Sequence, residues 1–220
     1  METSDLATLI KGRRSIRLWQ DKPVPEEQLL KAIELATYAS NAGNQQNWHF
    51  YLILNREVIK TIADAVQDSA NYIASLPEAA GFSEIAIRML TGAGFFRHAP
   101  AGIAVTSSQY QSPVDKILEA REKSNPEDSK AAQIRRWRTI ANSRTQSAAA
   151  AIAYLLLILH QMGLGAVWMT GPMQAKGAIE KVLKVPAGQD LIAYIPVGYP
   201  AETPALRPRK PIQEVCEILR

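Results

Sequence analysis

Three guanidinium groups and a hydroxyl fall within five residues near the start of the chain, in Arg13-Arg14-Ser15-Ile16-Arg17. Side chains of this kind donate paired, charge-assisted hydrogen bonds to a phosphate, and an arginine beside an electron-accepting ring stabilises its anionic reduced form. A solvated basic turn is the other reading, and the five residues alone leave both open. One further segment, Ser40-Asn41-Ala42-Gly43-Asn44-Gln45-Gln46-Asn47, is dense in turn-forming and hydrogen-bonding side chains.

Other chemistries lack their residues. One cysteine, Cys216, supports neither disulfides nor thiolate zinc or iron–sulfur sites. His49, His98 and His160 show no metal-ligand spacing, which favours structural roles and predicts no metal site. With no thiolate metal centre available, redox chemistry would need a bound organic cofactor, and the phosphate-loop, dinucleotide-fold, nucleophile-elbow and zinc-protease signatures are absent. The balance of 25 Lys+Arg against 21 Asp+Glu, a net +4, suits anionic small molecules. Arg135-Arg136-Trp137-Arg138, with Lys130 and Arg144, could contact nucleic acid or an anionic dinucleotide, but a charged helix face is the commoner explanation.

The ordered set of motifs resembles the nitroreductase family of flavoproteins. That family shows R-[RH]-S-x-[RK], then a helix, then an asparagine-bearing loop ending in N-x-Q-P-W before a core strand. Here Arg13–Arg17 is followed at matching separation by Asn44-Gln45-Gln46-Asn47-Trp48, then by Met162-Gly163-Leu164-Gly165-Ala166-Val167-Trp168-Met169-Thr170-Gly171-Pro172 and Val197-Gly198-Tyr199-Pro200. Only about residues 70–144 fall outside the likeness.

The resemblance implies an FMN cofactor and NADH or NADPH as co-substrate. Arg13, Arg14, Ser15 and Arg17 would hold the phosphate and pyrimidine edge, and Arg207 and Arg209 would close over the phosphate. Met169, Thr170 and Gly171 would line the N5 and O4 edge. Ser40, Asn41, Ala42 and Asn44 would reach the flavin of a partner subunit, which makes an intertwined homodimer with interfacial sites. Hydride would pass by a ping-pong route from reduced nicotinamide to a small electron-poor acceptor, a nitroaromatic or quinone, with no catalytic side chain required. Rival expectations are a specialised relative on the same scaffold, a reductive dehalogenase or flavin-consuming enzyme, and a non-catalytic flavin- or nucleic-acid-binding protein. The chain departs from the family at Ser40-Asn41, where Pro-Ser is usual, and at Asn47, where proline is usual; Asn and Ser can supply equivalent hydrogen bonds.

The elements that must position these residues are partly legible. Pro25-Glu26-Glu27 opens a helix with Leu29, Ile33 and Ala36 on one face, ending near Ala39. Trp48 to Leu54 reads as a core strand, Glu57 to Gln67 as a helix, and the stretch onward to Gly94 as looser chain. Further strands are predicted at Ala101–Thr106, Ala166–Thr170 and Leu191–Val197. Ala148 to Leu159 is predicted as a helix buried on all sides, too short to span a bilayer. Charges and prolines mark about residues 107–144 as a helical excursion or lid, and residues 200–211 as an extended arm. Together with the resemblance this predicts a single α+β domain over residues 1–220, with a mostly antiparallel sheet flanked by helices. The first residues lack a basic, cleavable leader, so the expected compartment is the cytoplasm.

Overall fold

A computed structural model describes residues 3–110 and 112–220. Its centre is a four-stranded antiparallel sheet ordered β1-β2-β4-β3: β1 (Trp48–Ile53), β2 (Ala101–Ser108), β3 (Gly165–Ala166) and β4 (Gln189–Gly198). Seven residues of β2, from Ala101 through Ser107, are buried, as befits a strand covered on both faces.

Side-chain alternation sends the two faces of the sheet to different cores. Ile103, Val105, Ile195 and Val197 pack on α2 (Glu26–Ala36) and α7 (Ser143–Gln161), through Leu29, Ile152, Leu155 and Leu159. Ala104 and Tyr194 face the other way, onto α3 (Arg56–Ser75) and α8 (Lys176–Leu183), through Ile59, Ile62, Val66 and Ile179. The result is helix, sheet and helix in three layers, with α1 (Thr3–Gly12) against α7.

Three sequence expectations change. The helix expected to end at Gln67 continues to Ser75, stopping where Leu76 turns extended (φ −67°, ψ 140°) ahead of Pro77. The stretch after it holds a further helix, α4 (Glu84–Thr91), capped by the Ser83 hydroxyl. The strand expected over Ala166–Thr170 is a two-residue ladder; Val167 and Trp168 leave it, and Met169 re-pairs with Tyr194 in the same register.

The helix α7 is not buried on all sides. Ala151, Ile152, Leu155 and Leu159 are covered, but Tyr154 is 47% exposed on the open side. Between β2 and α7 the chain forms a helical pair, α5 (Pro113–Ser124) and α6 (Ser129–Ala141), in which no residue is buried. Ion pairs tie it together: Arg138 to Asp115, Arg135 to Glu122, and Arg121 to Asp128 at 2.7 Å. Much of the basic cluster is therefore satisfied within the chain, and Arg144 likewise pairs with Asp190 at 2.6 Å. No helix among the described residues is long and apolar enough to cross a membrane.

Candidate cofactor and acceptor site

The arginine motif begins where α1 ends. The Ile16 amide donates to the Ala166 carbonyl at 3.1 Å, and Ser15 bridges Ala166 in parallel, so the motif lies along β3. The Trp19 indole donates to the Gly165 carbonyl at 2.9 Å. Glycine is required there by close approach, since a Cβ on Gly165 would stand 2.6 Å from Cγ1 of Ile16. From the other end of the sequence, the Glu202 carboxylate accepts from the Arg17 amide and, at 3.0 Å, from the Leu18 amide.

This crossing brings the two termini to one cavity of about 770 Å³, lined by Arg13, Arg14, Ser15, Arg17, Arg207 and Arg209. Lys11 adds a sixth cation, and no carboxylate among the described residues lines the space. Ala153, Leu156 and Leu157 of α7 and the Trp168 ring supply an apolar wall. None of the six cations has an ion-pair partner among the described residues. Burial, then Arg14 and Arg209, hold the Arg13 guanidinium below its usual value, so its charge is under electrostatic pressure that an anion would relieve. His160, on the last turn of α7, is lowered by burial and then by Arg13 and Arg14.

Met169 and Gly171 border a second, mostly carbon-lined cavity of about 720 Å³, which shares Arg17 with the first. Thr170 lies between them at the start of a short 3-10 turn, exposed to solvent. Met169 is fixed by reciprocal backbone bonds with Tyr194, at 3.0 and 3.1 Å.

The amide loop lies elsewhere. The Ala42 amide donates to the Ser147 hydroxyl at 3.1 Å, near the start of α7, whereas the arginine motif abuts His160 near its end. Thirteen residues of helix separate those points, roughly 20 Å at about 1.5 Å per residue. Ser40, Asn41, Ala42 and Asn44 thus do not join Arg13, Arg14, Ser15 and Arg17 within the chain. The loop is nonetheless shaped by its amides. Asn41 Oδ1 accepts from the Gln46 amide at 2.9 Å, Asn47 Nδ2 donates to the Ser108 carbonyl at 2.8 Å, and Gly43 and Asn44 take left-handed conformations (φ 61° and 49°). The side chains of Asn41 and Asn47 thus restrain the loop through hydrogen bonds to backbone.

Sequence reasoning missed Glu202 and the α4 wall of the second cavity. Nothing local distinguishes Glu202 from the chain's other carboxylates; its role depends on a contact with Arg17 across 185 positions.

Known proteins share the sequence pattern and the fold. A Methanothermobacter thermautotrophicus protein, provisionally named an NADH dehydrogenase/NAD(P)H nitroreductase, is 28% identical over 206 residues, 92% of this chain and 81% of the relative. An iodotyrosine deiodinase from Thermotoga neapolitana is 26% identical over 215 residues, 96% and 95% of the two chains. The crystal structure of a BluB-like flavoprotein from Clostridium difficile 630 superimposes with a TM-score of 0.83 at 27% identity, covering 100% of both chains. The nitroreductase family profile matches residues 10–199, and the chain belongs to that family.

Proposed function

We propose that the chain is an FMN-dependent oxidoreductase that passes hydride from NADH or NADPH to a small electron-poor acceptor, a nitroaromatic or quinone. The observation that carries this reading is the cavity of about 770 Å³ where arginines from both ends of the sequence meet with no carboxylate among the described residues. Such a donor set suits a phosphate, and the volume lies in the range of roughly 300–1,000 Å³ usual for cofactor sites. Arg13, Arg14, Ser15 and Arg17, with Arg207 and Arg209, would hold the phosphate and the pyrimidine edge. Met169, Thr170 and Gly171 would border the reactive edge. When bound, the flavin supplies reversible hydride acceptance, and the chain supplies orientation and positive charge. No side-chain acid or base is assigned.

Residues 1–220 then act as one nitroreductase-like domain, with the α5–α6 pair as its excursion. The separation of the amide loop from the arginine cavity favours a homodimer in which Ser40, Asn41, Ala42 and Asn44 complete the partner's site. Exposed Tyr38 and Tyr154, and the uncovered apolar residues of the C-terminal arm, among them Leu206, Ile212 and Ile218, are surface that a second copy would bury.

The test is the visible spectrum of the purified protein with its solution mass, followed by steady-state oxidation of NADH and NADPH with nitrofurazone or menadione. Expected are a flavin spectrum, twice the chain mass, and parallel double-reciprocal plots. Colourless protein that takes up no added FMN overturns the reading. A monomer that binds FMN fully overturns the shared site.

A further inference from the structure

The second cavity lies between α3, α4 and the Met169–Gln174 turn. Its walls are carbon: Val66 and Ile73 from α3, Phe82 and Met89 from the α4 segment, Phe95 and Met169 beyond. Phe82 and Met89 are 67% and 74% exposed, large apolar side chains held toward solvent with little to pack against. The wall is nonetheless attached. Gln67 of α3 donates to the Leu90 carbonyl and accepts from the Gly94 amide, both at 3.0 Å, fixing the C-terminal end of α4.

The polar lining is sparse. Gln174 already donates to the Val66 carbonyl at 3.1 Å. The charged groups are Arg17, Arg88 and Glu78, and neither Arg88 nor Glu78 has a side-chain partner among the described residues. Arg17 also lines the first cavity, where it is given to the cofactor, so the charges left to this carbon-lined chamber of about 720 Å³ are Arg88, set among the α4 wall residues Ile87, Met89 and Leu90, and Glu78 on the turn before α4.

Resting on the proposed FMN reading, we infer that this chamber selects the acceptor: an apolar, fused-ring compound bearing one anionic group, with Ala86 and Met89 setting its size and Arg88 meeting its charge. A single ring leaves most of this wall in contact with water and gains little from burial. The chamber thus selects this chain's acceptor by bulk, and Arg88 on its α4 wall selects by charge.

Calorimetric titration of the FMN-loaded protein with redox-inert probes tests this, using 2-naphthoate, benzoate and the neutral 2-naphthylmethanol. 2-Naphthoate is expected to bind about tenfold more tightly than either of the other two. Ala86→Phe, which fills the chamber, should remove the advantage over benzoate, and Arg88→Gln the advantage over the neutral alcohol. FMN affinity and thermal melts of both variants report whether the fold survives; if Ala86→Phe misfolds, Arg88→Gln and the wild-type ranking still decide. Benzoate binding as well as 2-naphthoate, or an Arg88→Gln protein that keeps its preference for the acid, overturns the inference. A protein that never takes up FMN sinks the underlying reading instead, so the two failures are distinguishable.

Discussion

The carboxylate of Glu202, four residues beyond the end of β4, grips the backbone amide of Arg17, 185 positions earlier in the chain. It holds the Leu18 amide as well, at 3.0 Å. This clamp sets the direction of the chain at the arginine that borders both cavities. Removing it should loosen the cofactor site without unfolding the core, because neither partner is buried.

Glu202→Ala is accordingly expected to weaken FMN binding about tenfold, equivalent to roughly 1.4 kcal/mol, with a melting temperature close to wild type. Fluorescence titration beside a thermal melt checks both. An unchanged dissociation constant would show that Arg17 keeps its place unaided.

Arg13 should discriminate a phosphate from its absence. A charge-assisted hydrogen bond contributes about 1.5–3 kcal/mol, so Arg13→Ala should raise the FMN dissociation constant by roughly one to two orders of magnitude. Riboflavin, which lacks the phosphate, should be affected far less. Equal losses for the two ligands would place Arg13 away from the phosphate.

Gly165→Ala tests the crossing of the arginine motif over β3. The added methyl would stand 2.6 Å from Cγ1 and 2.8 Å from Cβ of Ile16, both close to backbone that cannot yield cheaply. Overpacking of this kind costs about 1–3 kcal/mol, and each kcal/mol lowers the melting temperature by about 2–4 °C at this chain length. A variant melting with the wild type would mean that Ile16 can swing aside.

His160 predicts a pH dependence with a definite sign. Its folded-state value lies below the ordinary 6.5 because burial, then Arg13 and Arg14, oppose the charged form. The unfolded chain therefore takes up this proton first, and stability is lost as pH falls below about 6.5. Thermal melts between pH 7.5 and 5 should show the decline in the cofactor-free protein, with a shallower slope in His160→Gln. Inorganic phosphate should offset the two arginines and move the histidine upward, visible as a shifted titration of its ring protons by NMR.

Some of the architecture is written locally. Pro25 with Glu26 and Glu27 starts α2, the aromatic run from Trp48 makes β1, and Arg13–Arg17 reads as an anion-binding segment, because caps, side-chain period and donor density act over a few residues. The extent of α3 was less legible, since Ser69 and Ala70 carry no strong signal and their place in the helix is decided by packing on α4 and the sheet. The order of the motifs also pointed to the family that the profile confirms.

What the sequence by itself determined was which residues are equipped for a phosphate and which segments can be helix or strand. Only the tertiary structure decided that Arg207 and Arg209 share a cavity with Arg13, that the amide loop stands at the opposite end of α7, and that α4 walls an apolar chamber beside Met169. The physical reason is range. Propensity and capping are set by neighbours a turn apart, whereas these relationships arise when β3 and β4 pair and draw together segments nearly two hundred residues apart, through contacts that no local pattern encodes.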